Sequence, residues 1–163
     1  TYRTRCDGIM DILIIDDKGD LHIIKQATNE DIKAFDGKPI NGFTFGPGLV
    51  IDGVRQTDFI NTNNGPTTQA QRMCLAQTGE LTYLCICCEG PEDPGSTGLT
   101  LEQFNDLVCS FEGVQNAYNL DGGSSVTLVF KNKKVNSPDN PKRRPLSDII
   151  YFATAYIPDE AAQ

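Results

Sequence analysis

The sequence holds a single histidine, His22. A serine nucleophile needs a base beside it, and no G-x-S-x-G elbow is present, so a serine hydrolase is poorly supported. Zinc is poorly served as well. The six cysteines are Cys6, Cys74, Cys85, Cys87, Cys88 and Cys109. Only Cys85 and Cys88 have C-x-x-C spacing, and no second pair completes a ligand set. Basic residues are few, 14 against 22 acidic, for a net charge of −8. That balance argues against a nucleic-acid partner, which requires a basic footprint. No apolar run reaches the roughly 18 residues of a membrane span. No apolar leader follows Thr1-Tyr2-Arg3-Thr4-Arg5 and no starting Met is present. The chain therefore reads as processed, trimmed or expressed as a fragment, and the missing leader says nothing about export.

What is present is ordinary globular composition, with 39% hydrophobic and 22% charged residues in a chain of 163. That length suits one domain with one core. An even cysteine count permits disulfides, although a domain of this size does not need them. The run Leu81-Thr82-Tyr83-Leu84-Cys85-Ile86-Cys87-Cys88 reads as a buried, central strand, so its thiols are expected to be inert core groups rather than a redox pair at a helix start. Lys131 to Lys134 and Lys142-Arg143-Arg144 are basic clusters, either solvated loop charge or local phosphate contacts.

Periodicity and turn residues lay out the rest. Residues 11–16 and 21–25 form a hairpin around Asp17-Lys18-Gly19-Asp20, with His22 a structural residue. Ala27 to Phe35 predicts a short helix capped by Thr28 or Asn29. Asn41 to Pro47 is punctuated by glycine, and Leu49-Val50-Ile51 is a short strand with a turn at Asp52-Gly53. Residues 60–71 are a loop. Arg72 to Gln77 pairs with Leu81 to Cys88, and Glu89 to Gly98 is a loop. Thr100 and Gln103 have capping-box spacing, opening a helix with Leu101, Phe104, Leu107, Val108 and Phe111 on one face and a stop at Gly113. Strands are expected at Ala117 to Asp121, Val126 to Lys131 and Asp148 to Tyr156, with a loop from Asn136 to Pro145. Helices and strands do not alternate regularly. The expected fold is therefore α+β, one domain over 1–163 with a mostly antiparallel or mixed sheet and few helices.

The chemistry concentrates at Asn119-Leu120-Asp121-Gly122-Gly123-Ser124-Ser125. Paired glycines let the backbone approach a ligand closely, and successive amides make an anion-binding concavity. Two hydroxyls add donors, and Asp121 places a carboxylate at the mouth.

In the same order along the chain stand Phe45-Gly46-Pro47-Gly48-Leu49-Val50 with Asp52-Gly53, Gln71-Arg72 through Gln77, Glu89-Gly90, Ser96, Gly98 to Glu102, Ala117 through Val129, Val135-Asn136, and Arg144 through Ile150. Together these segments resemble the phosphodiester glycosidase family, most closely its bacterial secreted members, over residues 43–156. The resemblance implies hydrolysis of the anomeric C–O bond of a sugar 1-phosphodiester of N-acetylglucosamine type, giving free sugar and a phosphate monoester. It implies action outside the cell or on its surface. It also leaves out an upstream segment with an Asn-Gly-Phe-Phe-like motif, so the chain is expected to lack its N-terminal segment, or to be complemented by it or by another chain. Glu89 stands where the family has Asp, and Pro91 where Arg is common.

The leaving phosphate monoester has a second pKa of about 6, so it needs little help from a general acid. Catalysis should stabilise positive charge at the anomeric carbon and negative charge on the phosphate. Asp121 and Glu89 are the expected catalytic carboxylates. A separation of about 5 Å would mean retention of configuration, and roughly 6.5–9.5 Å inversion. Arg72 and Arg144 are expected to bind phosphate. Gly122, Gly123, Ser124 and Ser125 offer amides and hydroxyls. Asn119 and Asn136 would bind sugar hydroxyls or brace the loop. No cofactor and no metal site are expected, although a cation could be shared if Asp121 and Glu89 converge. Two other readings remain: a non-catalytic module binding sugar phosphates or wall polymers, and an ordinary glycosidase acting on a neutral glycan.

Overall fold

The computed structural model describes residues 10–59, 65–137 and 145–153. The first hairpin forms as the sequence predicts, with β1 (Met10–Asp16) antiparallel to β2 (Leu21–Ala27). Asp16 accepts from the amides of Lys18 and Asp20 inside the turn, and His22 Nε2 lies 3.0 Å from Asp16 Oδ2. Helix α1 (Asn29–Lys33) follows, capped by Thr28 in a capping box with Asp31. The glycine-punctuated stretch contributes a strand, β3 (Pro39–Phe43), on the other side of β1. Gly42 supplies no side chain to pack there, which hides the strand from a periodicity reading.

The second sheet has five strands in the order β5-β4-β8-β6-β7. They are β4 (Gly48–Ile51), β5 (Val54–Arg55), β6 (Arg72–Gly79), β7 (Thr82–Cys88) and β8 (Asn116–Leu120). Every pairing is antiparallel. Helix α2 (Leu101–Cys109) carries the Thr100/Gln103 capping box and buries Leu101, Phe104 and Val108 against Cys74, Ala76 and Ala117 of the sheet. Each of those large side chains contributes about 1.5–3 kcal/mol by leaving water. Leu107 and Phe111, expected on the buried face, are partly exposed at 37% and 40%, and Asn105 is buried instead. The opposite face of the sheet meets the three-stranded sheet through Leu75 and Tyr118, packed with Leu13 and Leu21. Tyr118 ties the two layers, since its hydroxyl donates to the Asp11 carbonyl at 2.8 Å and accepts from the Phe45 amide at 3.0 Å.

Four expectations are corrected. The apolar run at 81–88 is not central: β7 is the outer strand of its sheet. It is apolar because the sheet has a core on each face, with Leu84 and Cys88 packing on one and Tyr83 on the other. Only Cys74 is fully buried among the described thiols, and Cys85 is exposed. The stretch Val126 to Lys131 is strand only at β9 (Val129–Phe130), paired with β10 (Lys133–Lys134), because residues 123–125 coil into a 3-10 turn. Residues 148–153 form no strand, and Ile149 and Tyr151 stand 76% and 77% exposed. The remainder of that expected strand lies outside the described residues. The α+β class holds, with few helices and mainly antiparallel sheets.

Candidate active site

Antiparallel pairing brings distant segments to one end of the five-stranded sheet. Register pairs Arg72 with Cys88, Met73 with Leu120, and Gly48 with Tyr118. The start of β6 therefore lies beside the ends of β7 and β8, and the Gly46-Pro47 turn before β4 joins them. Glu89 follows β7 directly and Asp121 follows β8 directly. Both are exposed at this end. With β6 between them, their Cα atoms sit about two strand spacings, roughly 10 Å, apart.

Gln71, the residue just before β6, sits at the centre. Its carbonyl accepts from the Gly123 amide at 2.9 Å. Its side-chain nitrogen donates to Asp93 Oδ2 at 2.5 Å and to Ser137 Oγ at 3.0 Å. Asp93 Oδ2 also accepts from the Gly90 amide at 2.9 Å. The Ser137 amide donates to Glu89 Oε1 at 3.2 Å. Two of the glycines are dictated by this close approach. A Cβ on Gly122 would lie 2.6 Å from the Gln71 carbonyl oxygen, and one on Gly90 would collide with the Gln71 side chain and lie 2.7 Å from its amide nitrogen. Burial works against ionisation of Asp93. Hydrogen bonds from Gly90, Ser137 and Gln71 and the positive charge of Lys134 outweigh it, so its carboxyl titrates below the ordinary aspartate value.

The Asp121 turn differs from an open cradle. The amides of Gly123, Ser125 and Val126 are taken by Gln71, Gly122 and Gly123 carbonyls. Ser125 is buried, whereas Ser124, like Asp121, is exposed. Only part of the expected concavity therefore faces outward. Asn119, 1% exposed, donates to the Gly46 carbonyl at 2.7 Å while its amide reaches the Pro47 carbonyl at 3.0 Å. Asn136, 4% exposed, accepts from the Leu128 amide at 2.7 Å and donates to the Val126 carbonyl at 2.9 Å. Of the two roles open to these asparagines, bracing is the one their contacts describe. Asn119 Oδ1 and Asp93 Oδ1 are buried without a hydrogen-bond partner.

Arg72 is 3% exposed, and its guanidinium donates to the carbonyls of Leu99, Gly65 and Thr68. Burial pushes its pKa down from the ordinary arginine value, with Cys88 acting the other way. It fastens the loop before β6 to the start of α2. Arg144 lies outside the described residues, as does most of the Asn136 to Pro145 loop. Among the described residues no group of three or more His, Cys, Asp or Glu is arranged to hold a metal ion.

The sequence reading did not single out Asp93 or Ser137, and met Gln71 only as part of a motif. Asp93 sits in a Pro- and Gly-rich loop where an acidic residue reads as solvated. Only the fold shows it buried against Gln71.

The family model for phosphodiester glycosidases matches residues 6–153. The chain belongs to the phosphodiester glycosidase family. Its fold is similar to the catalytic domain of zebrafish N-acetylglucosamine-1-phosphodiester alpha-N-acetylglucosaminidase, auto-inhibited by its pro-peptide. That match has a TM-score of 0.62 and 19% identity, and covers 85% of this chain and 50% of that one. A hypothetical protein from Synechocystis matches with a TM-score of 0.50 and 24% identity, over 73% of this chain and 22% of that one. The chain thus spans half the length of the zebrafish domain. No curated protein matches it. Family members are glycosidase-type hydrolases.

Proposed function

We propose that the chain carries a phosphodiester glycosidase site that hydrolyses a sugar 1-phosphodiester, with N-acetylglucosamine as the sugar. The observation that carries this reading is the family match together with the placement of Asp121, Ser124 and Glu89 at one end of the sheet. Asp121 acts on the anomeric carbon, as nucleophile or as base for a water. Ser124 offers a hydroxyl to the phosphate. Glu89, held by the Ser137 amide, supplies the second carboxylate from across β6. Arg72, engaged with backbone carbonyls, orders the loop rather than meeting the phosphate, and Arg144 remains the arginine assigned to that charge. The zebrafish enzyme's name supports the choice of sugar. We place the reaction outside the cell or at its surface; no described helix is long and apolar enough to cross a membrane.

A second reading is a module that binds sugar phosphates without turnover. One experiment separates the two. Free sugar is measured after incubation of the chain, and of Asp121→Asn, with an N-acetylglucosamine 1-phosphodiester and with the alkyl glycoside of the same sugar. The expected result is release from the phosphodiester alone, reduced by two or more orders of magnitude in Asp121→Asn, the scale of a lost acid–base group. Binding of the phosphodiester without release would leave the binding module standing. Equal release from the alkyl glycoside would make the enzyme an ordinary glycosidase.

A further inference from the structure

Asp93 and Gln71 connect the three loops of the site to one another, alongside the direct hydrogen bond from the Ser137 amide to Glu89. Gln71 joins the Asp121 loop through its carbonyl and the Asn136-Ser137 loop through its amide. Asp93 holds Gln71 and, on the same oxygen, the Gly90 amide that follows Glu89. A single buried carboxylate oxygen thereby sets the distance between the backbone bearing Glu89 and the residue on which the Asp121 turn rests. The other oxygen of Asp93 is buried without a partner. Two well-satisfied neutral groups would hold the loops with no such unmet acceptor, so stability alone does not account for a carboxylate here.

We propose that Asp93 and Gln71 are positioning residues: through Gly123, Gly90 and Ser137 they fix Asp121 and Glu89 relative to each other, and they govern turnover without touching the substrate. Neither residue is exposed, at 4% and 6%, so neither meets substrate directly. The charged groups around the pair are Lys134, which faces Asp93, and Glu89, which shares Ser137 with Gln71. In Asp93→Asn the side chain keeps its shape but one position becomes a donor. It can no longer accept from both Gly90 and Gln71 on the strength of a full charge. The loops then relax by a fraction of an ångström. Displacement of that order at a reacting centre is enough to lower kcat on the order of 10- to 100-fold.

The kinetic part rests on the phosphodiester glycosidase reading; the coupling of the loops does not. The test therefore has two measurements on Asp93→Asn and on Gln71→Met, the latter keeping length while removing both donors. Amide hydrogen exchange at Gly123 and Ser137 reads the coupling. Steady-state kinetics on the N-acetylglucosamine 1-phosphodiester, per folded molecule, reads its consequence. Faster exchange at Gly123 in Asp93→Asn, with kcat reduced at least tenfold and KM within about twofold, supports positioning, because a merely structural residue changes the folded fraction and not kcat per folded molecule. Unchanged exchange at Gly123 overturns the proposal. Loosened exchange with unchanged kcat overturns its kinetic half and leaves only a structural brace. A wild-type protein that releases no sugar defeats the functional reading instead, and Gly123 exchange still decides the coupling. Should Asp93→Asn not fold, Gln71→Met carries both measurements.

Discussion

At the level of single residues, the site is made by atoms that are missing as much as by those present. Gly122 lies against the Gln71 carbonyl, and a methyl group there would sit 2.6 Å from that oxygen. The backbone cannot give, because the same carbonyl receives the Gly123 amide. Gly122→Ala should cost about 1–3 kcal/mol, the scale of overpacking, and sugar release should fall with it. Urea unfolding of the variant checks the first and the glycosidase assay the second. Asp93 predicts a pH dependence. Its folded-state pKa is depressed despite burial, by the Gly90, Ser137 and Gln71 hydrogen bonds and by Lys134. Its contribution to stability is therefore present above the unfolded aspartate pKa and is lost as pH falls through the lower folded value. Urea midpoints measured from pH 7 to pH 3 should decline less steeply in Asp93→Asn than in the wild type. Parallel declines would remove Asp93 from the cause.

At the level of elements, local chemistry shows which parts of the sequence were legible. Both helices start near the expected caps: the Thr100 and Gln103 capping box opens α2 as read from the sequence, and of Thr28 and Asn29 it is Thr28 that caps α1, in a box with Asp31 that only the structure shows. Thr100→Ala removes the hydroxyl that accepts from the Gln103 amide at 3.2 Å. The loss should be about 0.5–2 kcal/mol, read as a lower melting temperature, with little change in the sheet's circular dichroism. Strands whose partners are adjacent in sequence were equally readable: the two long hairpins form at the expected places. What a pattern of side chains could not show was lateral position. Whether Leu81 to Cys88 has a neighbour on one side or both depends on hydrogen bonds to distant strands, and an apolar run is compatible with either. Thiol chemistry tests the edge position of β7. Cys85 and Cys109 are exposed and Cys74 is buried. Desolvation raises all three thiol pKa values, most strongly at Cys74. Brief alkylation of the native protein, mapped by peptide mass, should therefore modify Cys85 and Cys109 well before Cys74, which should react only after denaturation. Equal labelling of all three would mean the β6–β7 layer is open.

At the level of the whole molecule, the candidate site was legible as a set of motifs and not as an arrangement. The carboxylates Asp121 and Glu89 could be named from residue type and motif, and both reach the same end of the sheet. The inward turn of Arg72 could not be foreseen, since nothing in the sequence says that Leu99, Gly65 and Thr68 will offer it three carbonyls. Nor could the buried link from Gln71 to Asp93, which joins positions 22 residues apart through a loop of glycine and proline.

The place of β8 between β4 and β6 also carries a consequence in time. During synthesis Ile51 emerges 65 residues ahead of Asn116, the number being 116 minus 51. At roughly 5–20 residues per second that is a wait of roughly 3–13 s. Through that interval β1 to β3 can already assemble, and β6 can pair with β7. The flank of β4 that will receive β8, and that of β6, stay bare until the last third of the described chain arrives. A ribosome-bound chain halted before residue 116 would be a protein with its first layer built, two unsatisfied strand edges exposed to any passing chain, and no place yet for a substrate to bind.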